Sequence, residues 1–204
     1  IKIYFMMTLS RNLPSRYKYK RKISSGSFGE VYLVKDNLAG ETVALKILKR
    51  VYKHAARSFK KEFSILSALN HPNLVKVFDF GFTKDNKPFF TMELLKGMNL
   101  REYFRETGNI KHMYDIIHQA LLALKYLHNN KVLHGDIKPE NIIVTSDARL
   151  KLLDFGLTIA PGTKRIKISG TPGYIAPEVL KEKIYNETSD IYSLGVTLSE
   201  AITG

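Results

Sequence analysis

Between Tyr17 and Lys49, apolar and polar residues alternate in short runs, and the spacing predicts three strands: Tyr17–Ser24, Glu30–Lys35 and Glu41–Leu48. The turns between them, Ser25-Gly26-Ser27 and Ala39-Gly40, make an antiparallel meander. The period then lengthens. From His54 to Leu69, the residues Ala55, Phe59, Phe63, Leu66 and Leu69 recur at helical spacing around Lys60, Lys61 and Glu62, and Asn70-His71-Pro72 stops the run. Leu74–Phe80 and Pro88–Leu95 read as two further strands around Lys84-Asp85-Asn86-Lys87. The chain therefore opens as mainly β with one helix, up to Gly97. Beyond it the pattern is helical: Tyr114–Asn130 carries Ile116, Ile117, Ala120, Leu121, Leu124 and Leu127 as a stripe that wants burial. Ile142–Thr145 and Leu150–Leu153 form a small hairpin over Ser146-Asp147-Ala148, and Thr188–Ile202 is a helix apolar nearly all round. No internal repeat or low-complexity run interrupts this order.

Composition narrows the class. The chain has 204 residues, 44% hydrophobic and 25% charged, as an ordinary globular protein has. Zero cysteines exclude a disulfide framework, a thiolate zinc site and a cysteine nucleophile, and fit a reducing compartment, the cytoplasm. A net charge of +13 would attract phosphate, nucleic acid, anionic lipid or an acidic partner without choosing among them. The apolar cluster Ile3–Met7 is too short for a membrane span, which takes about 20 residues. Because the chain does not begin with Met, it reads as a piece, or as starting at Met6 or Met7.

Four segments carry chemistry. Gly26-Ser27-Phe28-Gly29 sits between two strands, where missing Cβ atoms let backbone N–H groups approach phosphate oxygens. Val43-Ala44-Leu45-Lys46 fixes Lys46 on a strand, and Glu62 on the next helix can hold its ammonium. Each of these alone is more often a plain glycine turn or a solvated charge. His134-Gly135-Asp136-Ile137-Lys138-Pro139-Glu140-Asn141 is far more specific: Asp136 offers a carboxylate base, Lys138 a positive charge and Asn141 a neutral oxygen for a hard cation. Asp154-Phe155-Gly156 follows, with a second carboxylate suited to Mg²⁺.

Taken together and in this order, these segments resemble a eukaryotic-type serine/threonine protein kinase, with a match from about Lys18 to the end. His71-Pro72-Asn73-Leu74-Val75, Gly170–Glu178 and Asp190–Gly195 add to it. The resemblance implies an α+β, bilobal kinase-like fold, with residues 1–16 as an extension, 17–95 as the β lobe with its hinge and 96–204 as a partial helical lobe. It implies ATP in the cleft between the lobes, against Ile23, Gly26, Ser27, Phe28, Gly29, Val31, Ala44, Lys46, Met92, Glu93, Leu95, Ile143 and Asp154. Asn141 and Asp154 would hold Mg²⁺, Lys46 braced by Glu62 would meet the α and β phosphates, Asp136 would accept the proton of the acceptor hydroxyl and Lys138 would neutralise the moving phosphoryl group. Protein Ser/Thr hydroxyls are the implied acceptors, since Lys138 and the Thr171 that braces it resemble that branch. Glu140 and Glu200 match positions that in some relatives face basic residues upstream of the acceptor.

Departures from the family pattern qualify these expectations. Ser24 stands at the first glycine position of the loop, and Gly135 stands where most members have Arg, which removes the usual link to a phosphorylated activation segment. Activity is therefore expected to depend little on phosphate at Thr158, Thr163, Ser169 or Thr171. A small-molecule kinase of the aminoglycoside or choline type shares His-Gly-Asp, but Gly170–Glu178 and Lys138-Pro139-Glu140 speak against it. A truncated or pseudokinase-like nucleotide-binding scaffold is the alternative from another class, opposed by the intact Lys46, Asp136, Asn141 and Asp154. Basic residues lie in scattered runs without a recognition motif, so no specific nucleic acid is expected. Thr188–Ile202 is expected to leave Ile191, Leu194, Val196, Leu198 and Ile202 uncovered, which implies a longer protein, further domains or a partner over that helix, and low stability without them.

Overall fold

A computed structural model of the chain describes residues 12–26, 29–49, 53–108, 112–166 and 168–203. The expectations for Ser27, Phe28 and the Ile3–Met7 cluster lie outside the described residues. Two compact units divide the chain, one comprising residues 1–68 and 76–94, the other 69–75 and 95–204.

In the first unit, β1 (Tyr17–Ser25), β2 (Gly29–Asp36), β3 (Thr42–Leu48), β4 (Val77–Phe82) and β5 (Pro88–Met92) form one antiparallel sheet in the order β1-β2-β3-β5-β4. Alternation decides which face is buried: Tyr17, Tyr32, Val34, Val43, Leu45, Ile47 and Phe89 close a core with Leu13. The other face receives α1 (Lys53–Ala68), whose Phe59 and Phe63 meet Phe80 and Phe90 at ring separations of 5.0 to 6.3 Å. Arg16 ties the strands together: it is bidentate to Asp36 at 2.8 and 2.7 Å and reaches Asp79 at 2.7 Å. These bonds hold the Asp36 carboxyl down at about 2, against the opposing pull of burial, and the N–H groups of Leu38 and Ala39 help.

In the second unit, β6 (Gly97–Asn99) leads into α2 (Leu100–Thr107), an element absent from the strand and helix pattern read above. Its start is a capping box: Asn99 accepts from the Glu102 N–H at 2.9 Å while Glu102 accepts from the Asn99 N–H. α3 (Met113–Asn129) buries Ile116, Ala120, Ala123, Leu124 and Leu127 but exposes Leu121, so the buried stripe passes through Ala123 instead. A 3₁₀ turn at Pro139–Asn141 precedes the hairpin β7 (Ile142–Thr145) and β8 (Leu150–Leu152), with β6 on its outer edge. β9 (Thr163–Lys164) pairs with β10 (Ile184–Tyr185) around α4 (Pro177–Glu182), and α5 (Glu187–Thr203) follows. Leu194 on α5 is 3% exposed, which corrects the expectation of an uncovered residue; Val196 and Leu198 are half-buried, and Ile191 and Ile202 are exposed.

The run Leu74–Phe80 is not one strand. Leu74 stands in bridge register with Leu152 in the second unit, where the Val75 N–H donates to the Leu152 carbonyl and the Leu152 N–H to the Asn73 carbonyl, and the first unit's strand starts only at Val77. Among the described residues no helix is long and apolar enough to cross a membrane.

Candidate active site

The first unit supplies a cation on a rigid strand. Lys46 pairs across the ladder with Val31 on one side and Phe90 on the other, is 8% exposed, and donates to the buried Glu62 of α1 at 2.6 Å. Such a charge is tolerable in the core because a full counter-charge meets it at hydrogen-bond distance. Ala44 is buried between Leu33 and Met92 in the same sheet, Val31 is half-buried and Ile23 is exposed at the end of β1. Gly26 donates to the Gly29 carbonyl at 2.9 Å, joining the end of β1 to the start of β2. A Cβ on Gly29 would stand 2.8 Å from the Ile47 carbonyl, so strand packing alone already demands glycine there. Glu93 donates its N–H to the Lys76 carbonyl and accepts from the Lys76 N–H, which fixes the end of β5; Met92 is half-buried, and Leu95 belongs to the second unit.

The second unit assembles the loop His134–Asn141 around one carboxylate. Asp136 Oδ1 accepts from the Thr171 N–H at 2.9 Å and the Thr171 hydroxyl at 2.7 Å. Asp136 Oδ2 faces Lys138 Nζ at 3.0 Å and Asn141 Nδ2 at 3.2 Å. Lys138 also donates to the Thr171 hydroxyl at 2.8 Å, so that hydroxyl bridges the base and the cation. The loop itself is hung from a buried group: Asp190 accepts the N–H groups of His134 and Gly135 at 2.9 and 3.0 Å and faces His128 Nε2 at 2.9 Å. The His134 ring lies 4.8 Å from the Phe155 ring, tilted at 53° to it, and meets the Leu153 carbonyl. Gly135 has φ +78°, and a Cβ there would lie 3.0 Å from the Leu157 carbonyl, which accounts for glycine at this position.

Asn141 spends its amide N–H on Asp136, which leaves the amide oxygen as the acceptor end of the side chain. Asp154, half-buried, adopts a left-handed backbone at φ +60°, a conformation rare for a residue with a Cβ and frequent at functional sites. One amide oxygen and one carboxylate are hard donors that suit Mg²⁺, which takes one or two protein ligands and fills its shell from phosphates and water. Among the described residues no group of three or more His, Asp or Glu forms a closed metal cage. Ile143 lies half-buried on β7, beside this pair in sequence.

The activation segment is held by the β9–β10 pairing and by side chains. Arg165 donates to the Leu157 carbonyl at 3.0 Å and lies 5.6 Å from the centre of the Tyr185 ring. The Tyr185 hydroxyl accepts from the Ser169 N–H and donates to the Ser169 carbonyl, both at 2.7 Å, two residues before Thr171. Neither Arg165 nor Tyr185 is marked by any spacing in the sequence.

The described residues thus hold a buried lysine–glutamate pair in one unit and a carboxylate met by threonine, lysine and asparagine in the other. The chain matches the family model for the protein kinase domain over residues 17–204 and belongs to that family. It is 33% identical to the serine/threonine-protein kinase PrkC of Bacillus subtilis over 97% of this chain and 32% of PrkC. It is 34% identical to the serine/threonine-protein kinase PknA of Mycobacterium tuberculosis, over 94% of this chain and 48% of PknA. It is 36% identical to the serine/threonine-protein kinase cds1 of Schizosaccharomyces pombe, over 93% of this chain and 45% of cds1. The chain thus spans between a third and a half of these relatives' lengths. The fold is the α+β fold of the family, and the family uses ATP, in general with Mg²⁺.

Proposed function

We propose that the chain transfers the γ-phosphoryl group of ATP to Ser or Thr hydroxyls of proteins. The observation that carries this is the bridge Asp136–Thr171–Lys138, which keeps a carboxylate and an ammonium 3.0 Å apart with a hydroxyl touching both. A carboxylate so held is oriented to accept the proton of an acceptor hydroxyl as its oxygen bonds to phosphorus and the bond to the ADP oxygen breaks. Lys138 offsets charge on the moving phosphoryl group, and Thr171 keeps the ammonium from collapsing wholly onto the base. Lys46, pinned by Glu62, orients the α and β phosphates, with the glycine loop Gly26–Gly29, Ile23, Val31 and Ala44 contributed by the first unit. Met92, Glu93, Leu95 and Ile143 complete the adenine surroundings in this reading. Asn141 and Asp154 hold Mg²⁺, which when bound neutralises phosphate charge. Positioning and charge supply most of the rate in such a reaction, so rigid partners matter more than a strong nucleophile. The need for ATP supports a cytoplasmic setting.

Asp136→Asn tests the assignment. It removes the base while keeping the shape and the bond to Asn141, so transfer to a Ser/Thr protein substrate should fall by 100-fold or more with ATP affinity nearly intact. An unchanged rate would reject it.

A further inference from the structure

The face beside Asp136 carries a second charged cluster, joined from four separate elements. Arg101, in the first turn of α2, pairs through Nη2 with Glu200 of α5 and lies 3.5 Å through Nη1 from Glu140 of the 3₁₀ turn. The other Glu200 oxygen accepts the Tyr174 hydroxyl. Both Glu200 oxygens are therefore spent inside the chain. Burial and the Glu200 carboxylate together push the Tyr174 hydroxyl up to about 12, so it stays a donor, and the guanidinium's charge is favoured by Glu200 and Glu140 in spite of some desolvation. Tyr174 lines the same cavity as Asp136, Thr171 and Gly170, and Glu140 stands four residues after Asp136. An acceptor segment reaching Asp136 passes this cluster.

A pair of carboxylates converging at such a place is a seat for a guanidinium or ammonium. Here the chain fills it. Arg101 is 40% exposed and Glu140 51%, so the cluster is at the surface, yet its net charge is only −1 rather than the −2 of the carboxylates alone. We propose that Arg101 is an internal stand-in for an acceptor's basic residue, and that the protein consequently does not select Arg or Lys upstream of the Ser or Thr it modifies. A substrate guanidinium would have to displace one already bridging the carboxylates of two elements, hydrogen-bonded to Glu200 and ion-paired with Glu140, in exchange for no new carboxylate. This rests on the kinase reading above and replaces the expectation that Glu140 and Glu200 receive a basic residue from the acceptor.

The test uses the whole chain and two peptides that differ only in Arg against Ala at the positions preceding one Ser, with binding read by fluorescence anisotropy apart from turnover. Wild type should bind the two with Kd values within fivefold. Arg101→Ala, and independently Arg101→Gln as a variant that keeps most of the side-chain stem, should raise the preference for the Arg peptide at least fivefold over wild type. Adding Glu200→Gln to either should erase that gain. A wild type that already prefers the Arg peptide by more than fivefold, or a preference in both variants less than fivefold above wild type, overturns the proposal. Because the readout is binding, absent phosphorylation would count against the kinase reading and leave this comparison standing.

Discussion

Replacing Thr171 by Val isolates one hydroxyl at the centre of the site. The variant keeps the β-branched shape and the backbone N–H that reaches Asp136 at 2.9 Å, and removes the donation to Asp136 at 2.7 Å and the acceptance from Lys138 at 2.8 Å. Hydrogen bonds to charged groups contribute about 1.5–3 kcal/mol each. The full sum is not expected to appear, because Lys138 still meets Asp136 at 3.0 Å and Asn141 still donates to it. A loss of about 2–3 kcal/mol in the transition state corresponds to a fall in kcat of roughly 30- to 150-fold. Steady-state transfer to a protein substrate at saturating ATP reads it, with circular dichroism melting as a control for folding. Thr171→Ser restores the hydroxyl and should recover at least a tenth of the wild-type rate. The reasoning fails if Thr171→Val stays within threefold of wild type, or if Ser is as damaging as Val, since the second result would place the effect in packing.

Two further outcomes concern the activation segment and the first unit. Phosphatase-treated and autophosphorylated protein should differ by less than tenfold in kcat, because Arg165 already has the Leu157 carbonyl and the Tyr185 ring as partners and Gly135 brings no cation to Asp136. Asp36, lowered to about 2, contributes stability that is complete above its unfolded value of 3.8 and is lost as pH falls from there towards about 2. Arg16 is partly in water, so the contribution is about 1–2 kcal/mol. Asp36→Asn should therefore flatten the acid limb of an unfolding curve followed by circular dichroism between pH 4 and pH 2.

The parts of the fold legible in the sequence are those whose signal is local. Strands β1 to β3, helix α1 and the long α3 follow from alternation, period and turn residues within a few positions of where they stand. Leu74 and Val75 misled the pattern because their apolar side chains look like the start of β4 while their backbone pairs with Leu152, a partner distant in sequence. α2 went unread although its cap, Asn99 with Glu102, is a sequence-level signature. At the site, Lys46, Glu62, Asp136, Lys138 and Asn141 stand out because they occupy short motifs. Arg101, Asp190 in its loop-hanging role, and Tyr185 act across 16 to 99 positions, the last two through backbone groups, and a one-dimensional pattern does not record such meetings.

The glycine before Asp136 has a consequence for how this protein can change by descent. An arginine at 135 would have to leave the left-handed region, at a cost of about 1–2 kcal/mol if it stayed, and its Cβ would press on the Leu157 carbonyl. That same carbonyl holds Arg165. Moving it to admit the new side chain loosens the residue that keeps the segment ordered without phosphate. An arginine at 135 and the Arg165 bond therefore compete for the space at a single oxygen atom, while the Tyr185 bonds to Ser169 do not pass through it. A lineage acquiring phosphate control here would weaken the Arg165 hold first and would still keep the Tyr185 latch and the β9–β10 pairing.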